Sequence, residues 1–207
     1  FVFAVTPFNF ASIAANLPSA PAVMGNTVLW KPASNAVYTA YYLMQLFKEA
    51  GFPDGVINFI PGDGSVVGPQ VLTSPDLAGV HFTGSTGTFQ NIWETVGTNI
   101  RNYRTYPGIV GETGGKDFVV AHRSAGLEEL GTNLIRGAFE YQGQKCSAAS
   151  RAYIPKSMWK ELSNFMCMEL DTVKMGDVQD FSNFMNAVTD EAAFTKISDY
   201  IEFARKS

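Results

Sequence analysis

The sequence has few cysteines, few histidines, a small net charge and no long apolar run. Its two cysteines and two histidines, among 207 residues, lack the pattern of a disulfide framework and the close spacing of a metal site. A net charge of −4 leaves no strongly basic surface for nucleic acid or an anionic membrane. No apolar run approaches the roughly 18 residues that a membrane-spanning helix needs. We therefore expect a protein of a reducing intracellular compartment that holds no metal and binds neither nucleic acid nor membranes.

The first half of the chain repeats one pattern of short apolar runs, turns and helices. With 46% hydrophobic and 16% charged residues, the composition is typical of a globular protein with a sizeable core. Continuous apolar runs are typical of buried parallel strands. The predicted strands are residues 1–5, 27–30, 56–60, 78–82 and 106–110. This repetition predicts that residues 1–112 form an α/β domain with a doubly wound parallel sheet that binds a dinucleotide.

The second half, residues 113–207, predicts part of a further α/β domain. Strands are expected at residues 117–121 and 152–154, and helices at residues 124–141, 157–174 and 190–206. Because the chain already starts in a buried-strand pattern, we expect it to be the central portion of a longer protein.

One cysteine lies in a setting that favours reactivity. Cys146 belongs to the stretch YQGQKCSAASR, whose small residues leave a thiol accessible, whereas a cysteine kept for packing is usually enclosed by large apolar side chains. Upstream, GETGGK places the carboxylate of Glu112 between glycines. Together they are a candidate nucleophile and a candidate base. We expect Cys167 to be structural instead, since it lies beside the apolar residues of the predicted helix 157–174.

Polar residues and glycines follow the predicted strands of the first half. Lys31 ends the second strand, where such folds bind nucleotides, although it could be only a solvated strand end. Ser34 is expected to cap a helix to residue 50, and Ser85 to cap helix 87–101 and to meet a phosphate. Asn9 follows the first strand and could either enter a cleft or satisfy the turn backbone.

A third strand leads into PGDGSVVG, where Gly64 and Gly68 open a helix. Their spacing is close to the dinucleotide-binding fingerprint without matching it. Neither His81 nor His122 has ligand partners nearby in sequence, so both are expected to be structural.

Six short motifs, in this order, resemble the aldehyde dehydrogenase superfamily. They are TPFNF (6–10), LWKPAS (29–34), PGDG (61–64) with Gly68, FTGS (82–85), GETGGK (111–116) and GQKC (143–146). The resemblance implies that Cys146 is the nucleophile and Glu112 the general base. Asn9 and the backbone N–H of Cys146 would form the oxyanion hole. The other implied contacts are Lys31 and Ser34 at the adenosine ribose of NAD, Ser85 at its pyrophosphate, Gly64 and Gly68 in the cofactor-binding site, and Phe10 at the substrate. The hydroxyl of Ser147 directly follows the nucleophile and could donate to a substrate carboxylate.

The wording GETGGKD and EYQGQKCSAASR is similar to that of family members that oxidise glutamate 5-semialdehyde to glutamate in proline catabolism. The resemblance therefore implies NAD as cofactor, a thiohemiacetal and a thioester on the cysteine, and a homo-oligomeric enzyme. It would lie in the cytoplasm of a bacterium or the mitochondrial matrix of a eukaryote. The chain departs from many relatives at Phe89, where they have glycine, and at Ser34, where they have glutamate.

Three other functions stay open. The chain could belong to an NAD(P)-dependent dehydrogenase of another small aldehyde, to a catalytically silent scaffold, or to a thioester hydrolase that uses the same cysteine. A scaffold would not need Cys146, Glu112 and Asn9 together, and a hydrolase would not need Lys31 or Ser85.

Overall fold

The computed structural model describes all 207 residues, and it divides into two compact units, Phe1–Thr113 and Gly114–Ser207. The predicted division lay one residue earlier, after residue 112. None of the helices combines the length and the hydropathy required to cross a membrane.

The first unit is a five-stranded parallel sheet with helices between its strands. The strands are β1 (Val2–Val5), β2 (Val28–Lys31), β3 (Ile57–Phe59), β4 (Gly79–Gly84) and β5 (Gly108–Thr113), in the spatial order β3-β2-β1-β4-β5. The helices are α1 (Ala11–Val23), α2 (Val37–Glu49), α3 (Gly64–Leu72) and α4 (Thr86–Thr98). The order reverses direction at β1, as in doubly wound folds, and the predicted α/β class is confirmed.

Both faces of this sheet are covered, which explains the continuous apolar runs of its strands. On one face Val28 and Trp30 pack in a cluster with Leu17 of α1 and Phe47 of α2. On the other face a second cluster joins strand residues to α3 and α4; it comprises Phe3, Leu72, Leu77, Val80, Phe82, Ile92 and Val96.

The helix α1 continues through Pro18 and Pro21, although proline usually kinks or ends a helix. Pro21 has no N–H for the carbonyl of Leu17, four residues earlier. His81 of β4 approaches that carbonyl instead, with its Nδ1 3.1 Å from the oxygen. Since a carbonyl only accepts, Nδ1 is the protonated ring nitrogen. This contact agrees with the structural role expected for His81.

The second unit has a smaller sheet than the first and consists mainly of helices. Its strands β6 (Asp117–Val120) and β7 (Ala149–Tyr153) form a two-stranded parallel sheet. Its helices are α5 (Leu127–Phe139), α6 (Lys156–Thr172) and α7 (Glu191–Lys206). Leu130 and Leu134 of α5 pack on Leu162 of α6 and form the buried core.

Two predicted helix starts are wrong. Ser34 begins a 3-10 turn, Ser34–Ala36, closed by the bond from Ala36 N to Ala33 O at 3.0 Å, so α2 starts only at Val37. The helix expected from residue 124 starts only at Leu127, because the bond from Ala125 N to His122 O at 2.9 Å closes a turn before it and the Ser124 hydroxyl lies 2.8 Å from Nδ1 of His122. In both places, hydrogen bonds between residues close in sequence hold the chain in a turn where the first turn of the helix was predicted.

The largest differences from the predicted strand bounds, three residues each, occur in two strands. The strand expected at residues 152–154 begins at Ala149, and the strand expected at 106–110 extends through Thr113. Glu112 therefore lies within β5, paired with Thr83, and not in the turn after it.

Cys167, expected to be structural because it lies beside apolar residues of its helix, has an exposed side chain. Leu162 is the buried residue of α6. Five residues along a helix correspond to about 500°, so Cys167 points about 140° away from Leu162.

Candidate active site

Candidate residues of the first unit collect at one edge of its sheet. Because all five strands are parallel, their carboxyl ends share an edge. Asn9 follows β1, Lys31 ends β2, Gly64 follows β3, Ser85 follows β4, and Glu112 lies near the end of β5. The sheet topology thus brings these five predicted site residues, widely separated in sequence, to the same side of the unit.

The turn that carries Asn9 and Phe10 is fixed to the neighbouring strand. Thr6, at its start, is buried and accepts a hydrogen bond from Nε1 of Trp30 at 2.9 Å. Its backbone N–H donates to the carbonyl of Lys31 at 3.2 Å. Asn9 and Phe10 themselves are half-buried. Sequence reasoning missed Thr6 and Trp30 as supports, although both lie within the motifs TPFNF and LWKPAS.

Lys31 is not a solvated strand end. Its side chain is buried, and Nζ donates to the carbonyl of Pro32 at 2.9 Å. Burial lowers the pKa of Lys31, whereas the nearby carboxylate of Asp63 opposes that shift. Gly64, the first residue of α3, lies beside the aliphatic part of the Lys31 side chain. A Cβ placed on Gly64 would be 3.5 Å from Cε of Lys31. A positive charge is therefore held next to a helix start, an arrangement suited to an anionic group.

Side-chain caps organise the two helix starts at this edge. Ser85 Oγ accepts from the N–H of Thr88 at 3.2 Å, which bears out the cap predicted for α4. Asp63 Oδ1 accepts from the N–H of Ser65 at 2.7 Å and begins α3. Gly68 lies inside α3, in its second turn. These caps satisfy individual N–H groups and hold both helix N-termini at the sheet edge.

Phe89, where many relatives have glycine, packs against Gly111 of β5. Phe89 stacks on Phe82 with ring centroids 5.5 Å apart. A Cβ placed on Gly111 would overlap the Phe89 ring. The aromatic side chain on α4 thus occupies the space beside a glycine on β5, directly before Glu112.

Glu112 lies on the same face of the sheet as α1, and solvent can reach its side chain. Its side chain is exposed and lines a cleft of about 430 Å³. Ser12 and Asn16 of α1 and His81 and Thr83 of β4 contribute polar lining. A carboxylate in this position can reach a water molecule, as a general base requires.

Cys146 and Ser147, in the second unit, occupy the centre of a tight turn before β7. The turn is closed by the bond from Ala148 N to Lys145 O at 3.2 Å. Cys146 is half-buried and Ser147 is exposed. The N–H of Gly115 donates to the carbonyl of Cys146 at 3.0 Å, and a Cβ on Gly115 would lie 2.6 Å from that oxygen. Gly115, the last glycine of GETGGK, thus permits close approach to the cysteine backbone.

The chain reaches Cys146 through a left-handed segment. Tyr141 and Gln142 both have φ of 58°, and Gly143 has φ of 67°. The left-handed conformation costs about 1–2 kcal/mol for each residue that carries a Cβ. Sequence reasoning missed this segment, since tyrosine and glutamine carry no signal for it.

An ion-pair network lies around the same segment. Glu140 accepts hydrogen bonds from Nζ of Lys145 at 2.5 Å and from Nη2 of Arg136 at 2.7 Å. The bond from Lys145, and then that from Arg136, hold the pKa of Glu140 below its usual range. Further on, Oε1 of Gln144 accepts from the N–H of Thr189 at 2.9 Å.

The edge of the first unit suits a dinucleotide by the chemistry of its donors. It combines the Lys31 ammonium, two helix N-termini and hydroxyl groups at the carboxyl ends of parallel strands. Such edges bind the phosphates and riboses of nucleotide cofactors. The residues present therefore fit NAD.

Comparison with known sequences gives a consistent result. A model of the aldehyde dehydrogenase family matches residues 1–207. A protein of Dictyostelium discoideum named delta-1-pyrroline-5-carboxylate dehydrogenase, mitochondrial, is 50% identical over 209 residues; they cover 100% of this chain and 38% of that protein. The Homo sapiens protein of the same name is 44% identical, with 100% of this chain and 37% of that protein covered. The chain thus spans well under half the length of these relatives.

Comparison with solved structures agrees. The Mycobacterium tuberculosis delta-pyrroline-5-carboxylate dehydrogenase bound with NAD superposes with a TM-score of 0.97 and 55% identity, covering 100% of this chain and 39% of that one. The Thermus thermophilus 1-pyrroline-5-carboxylate dehydrogenase superposes with a TM-score of 0.92 and 30% identity, covering 99% and 40%.

Proposed function

The chain belongs to the aldehyde dehydrogenase family, and we propose that it is part of an enzyme that oxidises glutamate 5-semialdehyde to glutamate with NAD, in proline catabolism. The likeness to delta-1-pyrroline-5-carboxylate dehydrogenases along the whole chain supports the substrate. The observation that carries the chemistry is Cys146, held at the centre of a tight turn and flanked by small residues.

In the first half of the proposed reaction, the thiolate of Cys146 attacks the aldehyde carbon and forms a thiohemiacetal. The carbonyl oxygen becomes an oxyanion, which the amide of Asn9 and the backbone N–H of Cys146 would stabilise. Removing one such donor typically costs about 3 kcal/mol of transition-state stabilisation. NAD, when bound, supplies the acceptor for the hydride that leaves the adduct.

In the second half, Cys146 carries a thioester that must be hydrolysed. Glu112 would remove a proton from water, whose oxygen attacks the thioester carbon. Glutamate then leaves and the thiolate is restored. The exposure of Glu112 on a cleft with polar walls supports this role.

We assign substrate recognition to Ser147 and Phe10. The exposed hydroxyl of Ser147 directly follows the nucleophile and would donate to the substrate carboxylate, while Phe10 would enclose the methylene stem. Because only a substrate that carries the carboxylate would gain this hydrogen bond, we expect Ser147 to favour the semialdehyde over aldehydes without a carboxylate.

We assign cofactor binding to the sheet edge of the first unit. Lys31 and Ser34 would hold the adenosine ribose, and Ser85 with the glycines Gly64 and Gly68 would surround the pyrophosphate. The buried ammonium and the capped helix starts support this assignment.

Two further proposals concern the whole enzyme. We infer that it is a homo-oligomer acting on a small aldehyde. We also infer an intracellular location, in the mitochondrial matrix if the source is a eukaryote, as the names of the relatives suggest, and in the cytoplasm if it is a bacterium.

The test measures NADH absorbance with the enzyme that carries this chain, across a panel of aldehydes. Glutamate 5-semialdehyde is expected to give the highest kcat/KM. Cys146→Ala should abolish oxidation yet retain NAD binding, and Glu112→Gln should give a burst of NADH followed by slow turnover, because acylation precedes the step that needs the base.

Each alternative predicts another result. A silent scaffold would produce no NADH with any aldehyde. A thioester hydrolase would cleave thioesters without NAD, and a dehydrogenase of another small aldehyde would prefer a different member of the panel. Full activity in Cys146→Ala would contradict the assigned nucleophile.

A further inference from the structure

We propose that Glu140 is a positioning residue for the nucleophile, because its pairing with Lys145 closes the left-handed segment before Cys146. The inference rests on the proposed function for the identity of the nucleophile. It concerns Glu140, which lies outside the motif GQKC and holds a residue of that motif, Lys145, through an ion pair.

The first step is the backbone conformation. Tyr141 and Gln142 are consecutive left-handed residues that carry side chains. L-residues visit this region as single residues, and a strained pair persists only where surrounding contacts determine it. The residues on either side of the segment are therefore where such contacts are expected.

The second step is the ion pair that spans the segment. Glu140 lies immediately before the left-handed residues and Lys145 immediately before Cys146, and their side chains meet at 2.5 Å. The Lys145 side chain is 24% exposed, so this pair is less solvated than an ordinary surface pair. Contact across residues 141–144 turns the segment into a closed loop.

The third step is the attachment of this loop to regular structure. Arg136, in the last turn of α5, binds the other oxygen of Glu140 at 2.7 Å. Arg136 therefore fixes the Glu140 carboxylate to α5, and the second ion pair of that carboxylate holds Lys145 beside it. Gln144, bonded to Thr189, and Gly115, bonded to the Cys146 carbonyl, hold the remaining positions. Loss of Glu140 would therefore release the left-handed segment that leads into the turn with Cys146.

The test compares variants of the enzyme that carries this chain. Glu140→Gln and Lys145→Met should each lower kcat about tenfold with KM for the aldehyde changed less than about twofold, since a misplaced nucleophile slows the chemical step more than binding. The double variant should lose no more than the larger single loss, because both substitutions break the same contact.

Rescue separates positioning from general loss of structure. Glycine adopts positive φ without cost, so Gln142→Gly in the Glu140→Gln background should restore most of kcat. The matched control is Glu202→Gln, which removes an exposed ion pair with Arg205 on α7, 2.6 Å long, and should leave kcat unchanged. Alkylation of Cys146 by iodoacetamide, followed by peptide mass, shows whether each variant still presents the thiol.

Additive losses in the double variant, no rescue by Gln142→Gly, or a kcat of Glu140→Gln equal to that of the parent enzyme would each overturn the proposal. Failure of the proposed function looks different. In that case Cys146→Ala keeps aldehyde oxidation, whatever the Glu140 variants do.

Discussion

At the scale of the residue, Phe89 and Gly111 form a complementary pair next to the proposed base. Phe89 stacks on Phe82 and meets Trp93 edge-on, with centroids 5.6 Å apart. The space at Gly111 is closed by the Phe89 ring. Glycine usually destabilises a strand, but Gly111 lets the aromatic ring of Phe89 pack against the strand backbone.

We expect Gly111→Ala to destabilise the enzyme by about 1–3 kcal/mol, because the added methyl overpacks against the Phe89 ring. Phe89→Ala should also destabilise, through the lost packing. The double variant should be more stable than the sum of the two losses predicts, by about 1 kcal/mol, since the methyl then fills vacated space. Calorimetric unfolding of all three variants measures this coupling, and strict additivity would contradict the pairing.

We propose that single residues also decide cofactor choice. If Ser34 lies at the adenosine ribose as proposed, it offers a hydroxyl where a carboxylate would bind the ribose and repel a 2′-phosphate, and Lys31, three residues earlier, is cationic. We therefore expect weak discrimination against NADP in the parent enzyme. Ser34→Glu should raise the preference for NAD by roughly tenfold, through one like-charge contact with the 2′-phosphate.

The measurement is the ratio of dissociation constants for NAD and NADP, together with the ratio of kcat/KM values. Ser34→Gln, of the same size without the charge, is the control and should leave both ratios close to those of the parent. A Ser34→Glu variant that discriminates no better than the parent would contradict the charge argument.

At the scale of the element, the start of α4 combines a cap with a proposed anion site. Ser85 Oγ accepts from the N–H of Thr88. The same hydroxyl lies 2.7 Å from the hydroxyl of Thr88, so the first turn has two polar side chains in contact. Helix stability and the proposed binding of pyrophosphate would therefore depend on one residue, and substitutions can separate the two.

We expect Ser85→Ala to lower stability by about 1 kcal/mol through loss of the cap. Ser85→Asp should keep the cap, because aspartate caps as well as serine, but its charge should weaken NAD binding by about tenfold or more. Thermal unfolding and equilibrium titration with NAD test the two effects. If Ser85→Asp binds NAD as tightly as the parent, the pyrophosphate does not lie at this helix start.

At the scale of the whole molecule, the 207-residue chain exposes apolar surface that a stable globular protein would cover. Phe118 on β6 is 64% exposed, Phe181 between α6 and α7 is 97% exposed, and Phe203 on α7 is 70% exposed. The two-stranded sheet of β6 and β7 has no further strand beside it. Two strands alone are marginal in water, and unpaired edges invite association.

We expect the chain produced alone, as residues 1–207, to bind a hydrophobic dye and to associate at micromolar concentration. Light scattering and dye fluorescence across a concentration series measure this. The whole enzyme, in which further chain would cover these faces, is the control. A 207-residue product that stays monomeric, binds no dye and oxidises the aldehyde would contradict this expectation.

The sequence by itself determined the parallel sheet of the first unit, most of its helices and the family. Strands buried on both faces leave continuous apolar runs, and a cap such as Ser85 acts within three residues, so both signals are local in the chain. The six motifs identified candidate residues in the same way. The roles of those residues stay predictions.

Only the tertiary structure decided the remaining features. Phe89 closes on Gly111, His81 reaches the carbonyl that Pro21 leaves without a helical donor, and Cys167 turns outward from its helix. The left-handed segment before Cys146, with its Glu140 ion pairs, likewise has no signature in residue type. Each depends on contacts between residues whose separation in space is set by packing, and local propensity carries no information about that distance.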